Sequence, residues 1–194
     1  MIDTSLKILR TDISATPVDW IGVEEAAKLY CQDQVAYPMG SALCVMRGGI
    51  NSKTGLRSTI EIHSIVCTEG HRKGSKSCPN YVPPLNNTTL FRRDANLCMY
   101  CGKSFENIDL SRDHILPISQ GGEDVWTNVV TACKRCNHYK GGRTPEEAGL
   151  ELVAIPFTPN RAEYIYLSGR RILLDQMEFL LAHFPHNSPL RQRC

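Results

Sequence analysis

Two CxxC pairs, Cys98/Cys101 and Cys133/Cys136, stand 31 residues apart in a chain of 194. One CxxC turn presents two thiolates to a single ion. Two such turns complete the tetrahedral shell of a structural zinc, with Zn–S distances of about 2.3 Å. A metal held this way staples the two ends of the intervening segment, so that segment must fold as a unit closed at its base. Free buried thiols or a redox pair would not explain two evenly spaced pairs in one short stretch. The chain has nine cysteines, an odd number. Its start, MIDTSLKILRTD, reads neither as a signal peptide nor as a transit peptide. A cytoplasmic protein is therefore expected, and in a reducing compartment paired CxxC motifs more often bind zinc than form disulfides.

With 42% hydrophobic and 22% charged residues, the composition is that of a soluble globular chain, one domain or a small domain with an extension. No run of 18 apolar residues occurs, so no membrane partner is expected. The net charge of +2 says little, but its distribution is uneven. Residues 1–50 carry four Lys/Arg against six Asp/Glu, whereas 51–194 carry eighteen against fourteen. The basic excess lies with the cysteine motif, which is compatible with phosphate binding.

Along the chain, residues 6–11 suggest a short strand, and 17–20 a turn into a helix. Val23, Ala26, Ala27 and Tyr30 have the spacing of one helical face over 23–30. Residues 42–47 and 58–67 read as strands. Residues 69–87 are polar and rich in Pro and Gly, the composition of a linker. Thr88 or Thr89 could cap a short helix running to Asp94. Past Pro156 and Pro159, Ile172, Leu173, Met177, Leu180, Leu181 and Phe184 form an apolar stripe, predicting an amphipathic helix over 168–184 with Ser168 as its N-cap. The expected organisation is an α+β extension over 1–87, a zinc-stapled unit over 88–152, and a C-terminal segment over 153–194.

Between and after the cysteines stand Asp113-His114 and Asn137-His138. Phosphodiester hydrolysis needs a base for the attacking water, neutralisation of the phosphate oxygens and stabilisation of the leaving oxygen. Histidine suits the first task, and a divalent cation the other two. Residues 110–119 read as a strand ending at Pro117, with Gly121-Gly122 as a turn and 126–133 as the return strand. Neighbouring strand side chains point to opposite faces, so Asp113 and His114 could share a site only at a distortion or an edge. A short helix starting at Asn137 would return beside them.

The pattern CxYCG…DHIxPxSxGG…WxNVVxACxRCNxxKGxRTPEEAG resembles that of the HNH endonucleases, in the subgroup with two CxxC zinc pairs. It covers about residues 92–149. The resemblance implies an α+β fold whose ββα-metal core is stapled by zinc on Cys98, Cys101, Cys133 and Cys136. It implies hydrolysis of DNA, with His114 as general base and Asp113 as ligand of a catalytic Mg²⁺, Mn²⁺ or other divalent ion. Asn128 would orient the loop and the imidazole. Asn137 would be the second metal ligand, with His138 as the alternative. Arg135, Lys140 and Arg143 would contact phosphate, and Arg92 and Arg93 form the basic lead-in such proteins have. Cutting both strands of a duplex would favour a homodimer.

His63, Cys67, His71 and Cys78 could hold a second zinc, but their irregular spacing favours a strand cysteine followed by a solvated loop. The loop HRKGSK over 71–76, with Lys73, could touch the DNA backbone or be only a solvated turn. Cys31 and Cys44 read as buried core residues. Two rival functions stand beside DNA hydrolysis: a zinc-stabilised nucleic-acid reader without catalysis, and a nuclease for RNA or structured DNA.

Overall fold

The computed structural model describes residues 6–50, 52–69 and 81–193. The chain forms two compact units. One combines Met1–Tyr81 with Arg161–Cys194, and the other is Val82–Asn160. The C-terminal segment thus packs with the N-terminal part of the chain.

The first unit is built on strands β1 (Lys7–Thr11), β2 (Pro17–Gly22), β3 (Val35–Ile50) and β4 (Arg57–Thr68), in the order β2-β1-β4-β3. β1 runs antiparallel to β2 and parallel to β4, and β3 pairs antiparallel with β4. The turn expected at 17–20 is instead part of β2. Asp12 takes the turn upstream, its Oδ1 accepting from the N–H groups of Ser14 and Thr16. Arg10 then holds Asp19 across the pair. The strand expected at 42–47 is the middle of the much longer β3. Helix α1 (Val23–Cys31) forms as its apolar spacing requires, and Val23 and Ala26 pack with Ile8, Ile21, Ile62 and Val66. Each such valine or isoleucine side chain removed from water contributes about 1.5–3 kcal/mol.

The opposite face of β1 is covered as well, since both Ile8 and Leu9 are wholly buried. The single amphipathic helix expected at 168–184 is two helices, α4 (Arg161–Ser168) and α5 (Leu174–Ala182), which we number after the two helices of the second unit. Ser168 closes α4, donating its hydroxyl to the Ile165 carbonyl, so it cannot begin the next helix. Trp20 Nε1–H donates to that same carbonyl, and the buried Gln176 amide donates to the carbonyls of Lys7 and Ser64. These bonds satisfy polar groups that would otherwise be stranded under the helices.

The second unit opens on α2 (Asn87–Arg93), capped by the Asn86 side chain, which accepts from the Thr89 N–H; the cap therefore lies before Thr88 and Thr89. The hairpin of β5 (Leu110–His114) and β6 (Val129–Cys133) follows, and α3 (Lys134–Lys140) packs against both strands. This is a ββα arrangement. Trp126 lies before the return strand, buried, with Nε1–H donated to the Pro83 carbonyl. α3 starts directly after Cys133, so Asn137 sits in its middle. Among the described residues, no helix is long and apolar enough to cross a membrane.

Candidate active site and zinc centre

The Sγ atoms of Cys98, Cys101, Cys133 and Cys136 all lie within 4.8 Å of one another. Sulfurs tetrahedral about a zinc at 2.3 Å would be about 3.8 Å apart, so a small contraction completes the site. Local structure holds both pairs ready. Cys98 N–H donates to the Lys103 carbonyl and Gly102 N–H to that of Cys98, closing a turn in which Gly102 has φ +68°, a conformation glycine takes without strain. In the second pair, Cys133 is the N-cap of α3, and its sulfur accepts from the Cys136 N–H at 3.4 Å. Burial opposes ionisation of Cys98, yet N–H groups directed at its sulfur hold its pKa below the ordinary thiol value. Burial raises Cys101 and Cys136. A cation is what would let all four ionise together. Among the described residues this is the only cluster of His, Cys, Asp or Glu placed to hold an ion. Of the second-zinc candidates, Cys67 instead donates to the Asp12 carbonyl, while His71 and Cys78 lie outside the described residues, as does Lys73.

β5 starts opposite Cys133, with Leu110 paired to it, and ends at His114 opposite Val129. Strand alternation sends Asp113 and His114 to opposite faces. Asp113 is buried; Tyr100 donates its hydroxyl to Oδ2, and the Lys140 ammonium stands 3.2 Å from Oδ2 and 3.3 Å from Oδ1. Burial and the adjacent carboxylate hold the Tyr100 pKa well above the ordinary phenol value. Lys140 also donates to the His114 carbonyl at 2.7 Å. Asn137 reaches β5 as well, its amide donating to Ser111 Oγ and the Arg112 carbonyl. Asp113 and Asn137 are oxygen donors of the kind a hard divalent ion takes, so the residue types fit such an ion. A cation at Asp113 would share or displace the Lys140 ammonium.

His114, half-buried, has Nε2 2.9 Å from Asp124 Oδ1. Arg112, two residues back on the same face, binds both Asp124 oxygens at 2.8 and 2.6 Å. The Arg112 hydrogen bond holds the Asp124 pKa below its ordinary value, helped by His114. Sequence reasoning missed Asp124, as it missed Tyr100 and Arg112. A carboxylate ten residues past the histidine, beyond the Gly121-Gly122 turn, was the available signal. Gly122 itself allows close approach, since a Cβ there would lie 1.8 Å from the Leu116 carbonyl oxygen. Asn128 pins the same loop: it accepts from the Leu116 N–H and donates to the carbonyls of Leu116 and Glu123.

The expected phosphate contacts divide sharply. Arg135 and Arg143 are exposed; Arg135 lines a cavity of about 770 Å³ with Lys103, Lys134 and Tyr139. The Arg143 guanidinium lies 5.4 Å from the centre of the Tyr139 ring. Arg92 is half-buried, and His138 is exposed. Lys140 and Arg93 correct the expectation, because both are 1% exposed. Lys140 is spent on Asp113 and His114. Arg93 binds the Asp94 carboxylate and the carbonyls of Trp126, Phe157 and Val129. A guanidinium so enclosed cannot reach a phosphate.

Residues 98–153 match the family model of the HNH endonucleases. The match begins at Cys98 and contains both CxxC pairs, the hairpin and α3. The matched segment and the four-thiol cluster therefore coincide. No curated protein matches the chain.

Proposed function

We propose that the Val82–Asn160 unit is a divalent-metal-dependent endonuclease that hydrolyses phosphodiester bonds in DNA. The observation carrying this reading is His114, anchored at the end of β5 inside the segment matching the HNH endonucleases, with Asp124 on its Nε2. With Nε2–H donated to the carboxylate, Nδ1 is the nitrogen that takes a proton from the attacking water. Asp124 fixes that tautomer and stabilises the imidazolium as it forms. Arg112 keeps Asp124 ionised and in place. Lys140 holds the His114 backbone, and Asn128 holds the loop that carries Asp124.

Asp113 and Asn137 would hold the divalent ion, which supplies neutralisation of the phosphate oxygens and of the leaving oxygen. Asn137 is supported over His138 because it turns toward β5, whereas His138 is exposed. Exposed Arg135 and Arg143 would meet the nucleic-acid backbone.

The test is plasmid nicking with Mg²⁺ or Mn²⁺, comparing wild type with His114→Ala at equal zinc content. Cleavage by wild type alone is expected. No cleavage by wild type, or equal cleavage by the variant, would sink the proposal. RNA and branched DNA run in parallel at matched salt separate the substrate classes.

A further inference from the structure

We infer that the β3–β4 hairpin of the first unit is a DNA-binding ribbon, which grips duplex DNA by its backbone; this rests on the nuclease reading of the second unit. β4 pairs with β1 only through Ile65, Val66 and Cys67. Beyond that contact, β3 and β4 pair only with each other, from Ala42 opposite His63 out to Ile50 opposite Arg57. At about 3.3 Å per residue, this arm is roughly 25 Å long.

Its two faces differ. Leu43, Cys44, Met46 and Ile60 pack against the α1 core. The other face carries Val45, Arg47 and Ile50 on β3, opposite Glu61, Thr59 and Arg57 on β4. Arg47 and Arg57 are exposed, as are Val45 (54%) and Ile50 (65%). Arg47 faces Thr59, two residues from Arg57 on the same side, so the two guanidiniums are diagonal neighbours. Lys53 follows in the connecting turn.

The outer part of the arm carries only positive charge. Between Asp33 and Glu61 the sequence contains no acidic residue, while it contains Arg47, Lys53 and Arg57. Apolar exposure alone would suit many partners. Glu61 lies at the inner end of this face, opposite Val45, while Arg47 and Arg57 lie farther out; paired arginines at the outer end suit a polyanion, because they can bind phosphates in bidentate fashion. The ribbon is also thin: at Gly48 a Cβ would lie 2.3 Å from Ser58 Oγ, and Ser58 donates to the Gly49 carbonyl. A two-stranded ribbon is one of the shapes the major groove of about 12 Å admits.

The test measures binding of full-length protein to a 5′-labelled duplex of about 30 base pairs by fluorescence anisotropy, in EDTA-free buffer without Mg²⁺ or Mn²⁺, across a salt series. Arg47→Gln/Arg57→Gln is compared with Lys28→Gln/Arg170→Gln, which removes the same charge from exposed positions of the same unit. The ribbon variant should bind about 10- to 100-fold more weakly at low salt, and its slope of log K against log salt should fall by about 2, roughly 0.9 per lost phosphate contact. The control should change binding less than threefold. Equal losses in both variants, or none in the ribbon variant, overturn the proposal, as does tighter ribbon-dependent binding to single-stranded RNA. Plasmid cleavage is scored separately. Cleavage with ribbon-independent binding refutes the ribbon and leaves the nuclease reading intact; ribbon-dependent binding without cleavage does the reverse.

Discussion

Replacing Arg93 by methionine tests the reassignment of this residue from phosphate contact to internal brace. The guanidinium bridges the Asp94 carboxylate, at 2.8 and 3.1 Å, and three carbonyls, those of Trp126 (2.7 Å), Val129 (2.8 Å) and Phe157 (3.1 Å). It also lies within 5.6 Å of the centre of the Trp126 ring. Methionine restores much of the volume and none of the donors. Asp94 would keep one donor, the Thr131 N–H at 2.8 Å, while remaining buried. Removing one partner of a buried pair costs about 3–5 kcal/mol, and each carbonyl left unsatisfied can add about 1 kcal/mol or more. A loss of at least about 4 kcal/mol is expected, a large part of the 5–15 kcal/mol typical of a whole domain. Urea unfolding in a Trp20→Phe background lets Trp126 report the second unit alone. With a slope of about 1–2 kcal/mol per molar, the midpoint should fall by roughly 2–4 M. Adding Asp94→Asn to Arg93→Met should recover part of the loss, since it removes the stranded charge. A destabilisation below about 1 kcal/mol, accompanied by weaker DNA binding, would refute the brace and return Arg93 to the substrate.

Three further outcomes follow from the geometry. Metal analysis should find one zinc per chain, and Cys101→Ser or a strong chelator should abolish the cooperative Trp126 transition while leaving the first unit folded; a chelator-insensitive transition would show that the thiols need no metal. Asp124→Asn should lower kcat about 10- to 100-fold with little change in thermal midpoint, because asparagine can favour the wrong imidazole tautomer; unchanged kcat would remove Asp124 from the positioning of His114. Burial opposes ionisation of Asp175, yet donors from Ser64, Ser41 and Gln176 hold its pKa below the ordinary 3.8. A lowered carboxylate pKa contributes stability above its unfolded value and loses it as pH falls through its folded value. Wild type should therefore unfold at higher temperature than Asp175→Asn near pH 7, and the difference should shrink below about pH 4; a pH-independent difference would refute it.

The zinc frame was the most legible part of the chain, because ligand chemistry fixes both residue type and spacing. α1 and β4 were legible from periodicity. Reciprocal bonds between Thr144 and Glu147 close a capping box of the kind Thr-x-x-Glu spacing predicts, although they cap only a turn. Side chains whose role depends on tertiary enclosure were hidden. Arg93 and Lys140 look like phosphate ligands in any linear reading, since nothing local says that α2 and α3 turn them inward. The apolar stripe from Ile172 to Phe184 does mark α5 and its flanks, but Ser168, which looks like an N-cap in a linear reading, ends α4 instead. β2 was missed because Pro17 reads as a turn signal, yet proline is tolerated at the first residue of a strand. Pro17 opens β2, which is paired only with β1.

Asp113 and His114 were read as one constellation, but their hydrogen bonds form two. On one face, Asp113 is compensated by Lys140 and capped by Tyr100, whose neighbours in sequence are Met99 and Cys101. On the other, His114 and Arg112 share Asp124. Lys140 joins them, since one ammonium binds the Asp113 carboxylate and the His114 carbonyl together. Through Tyr100 the zinc turn reaches the carboxylate, and through Cys133 and Cys136 it fixes the start of the helix that carries Asn137 and Lys140. A zinc held by the four thiols would thus have two routes to the Asp113-His114 pair without touching it. Loss of the metal should displace Asp113 and Lys140 in concert, and a partly chelated protein should lose activity in proportion to zinc rather than through a slower intermediate form.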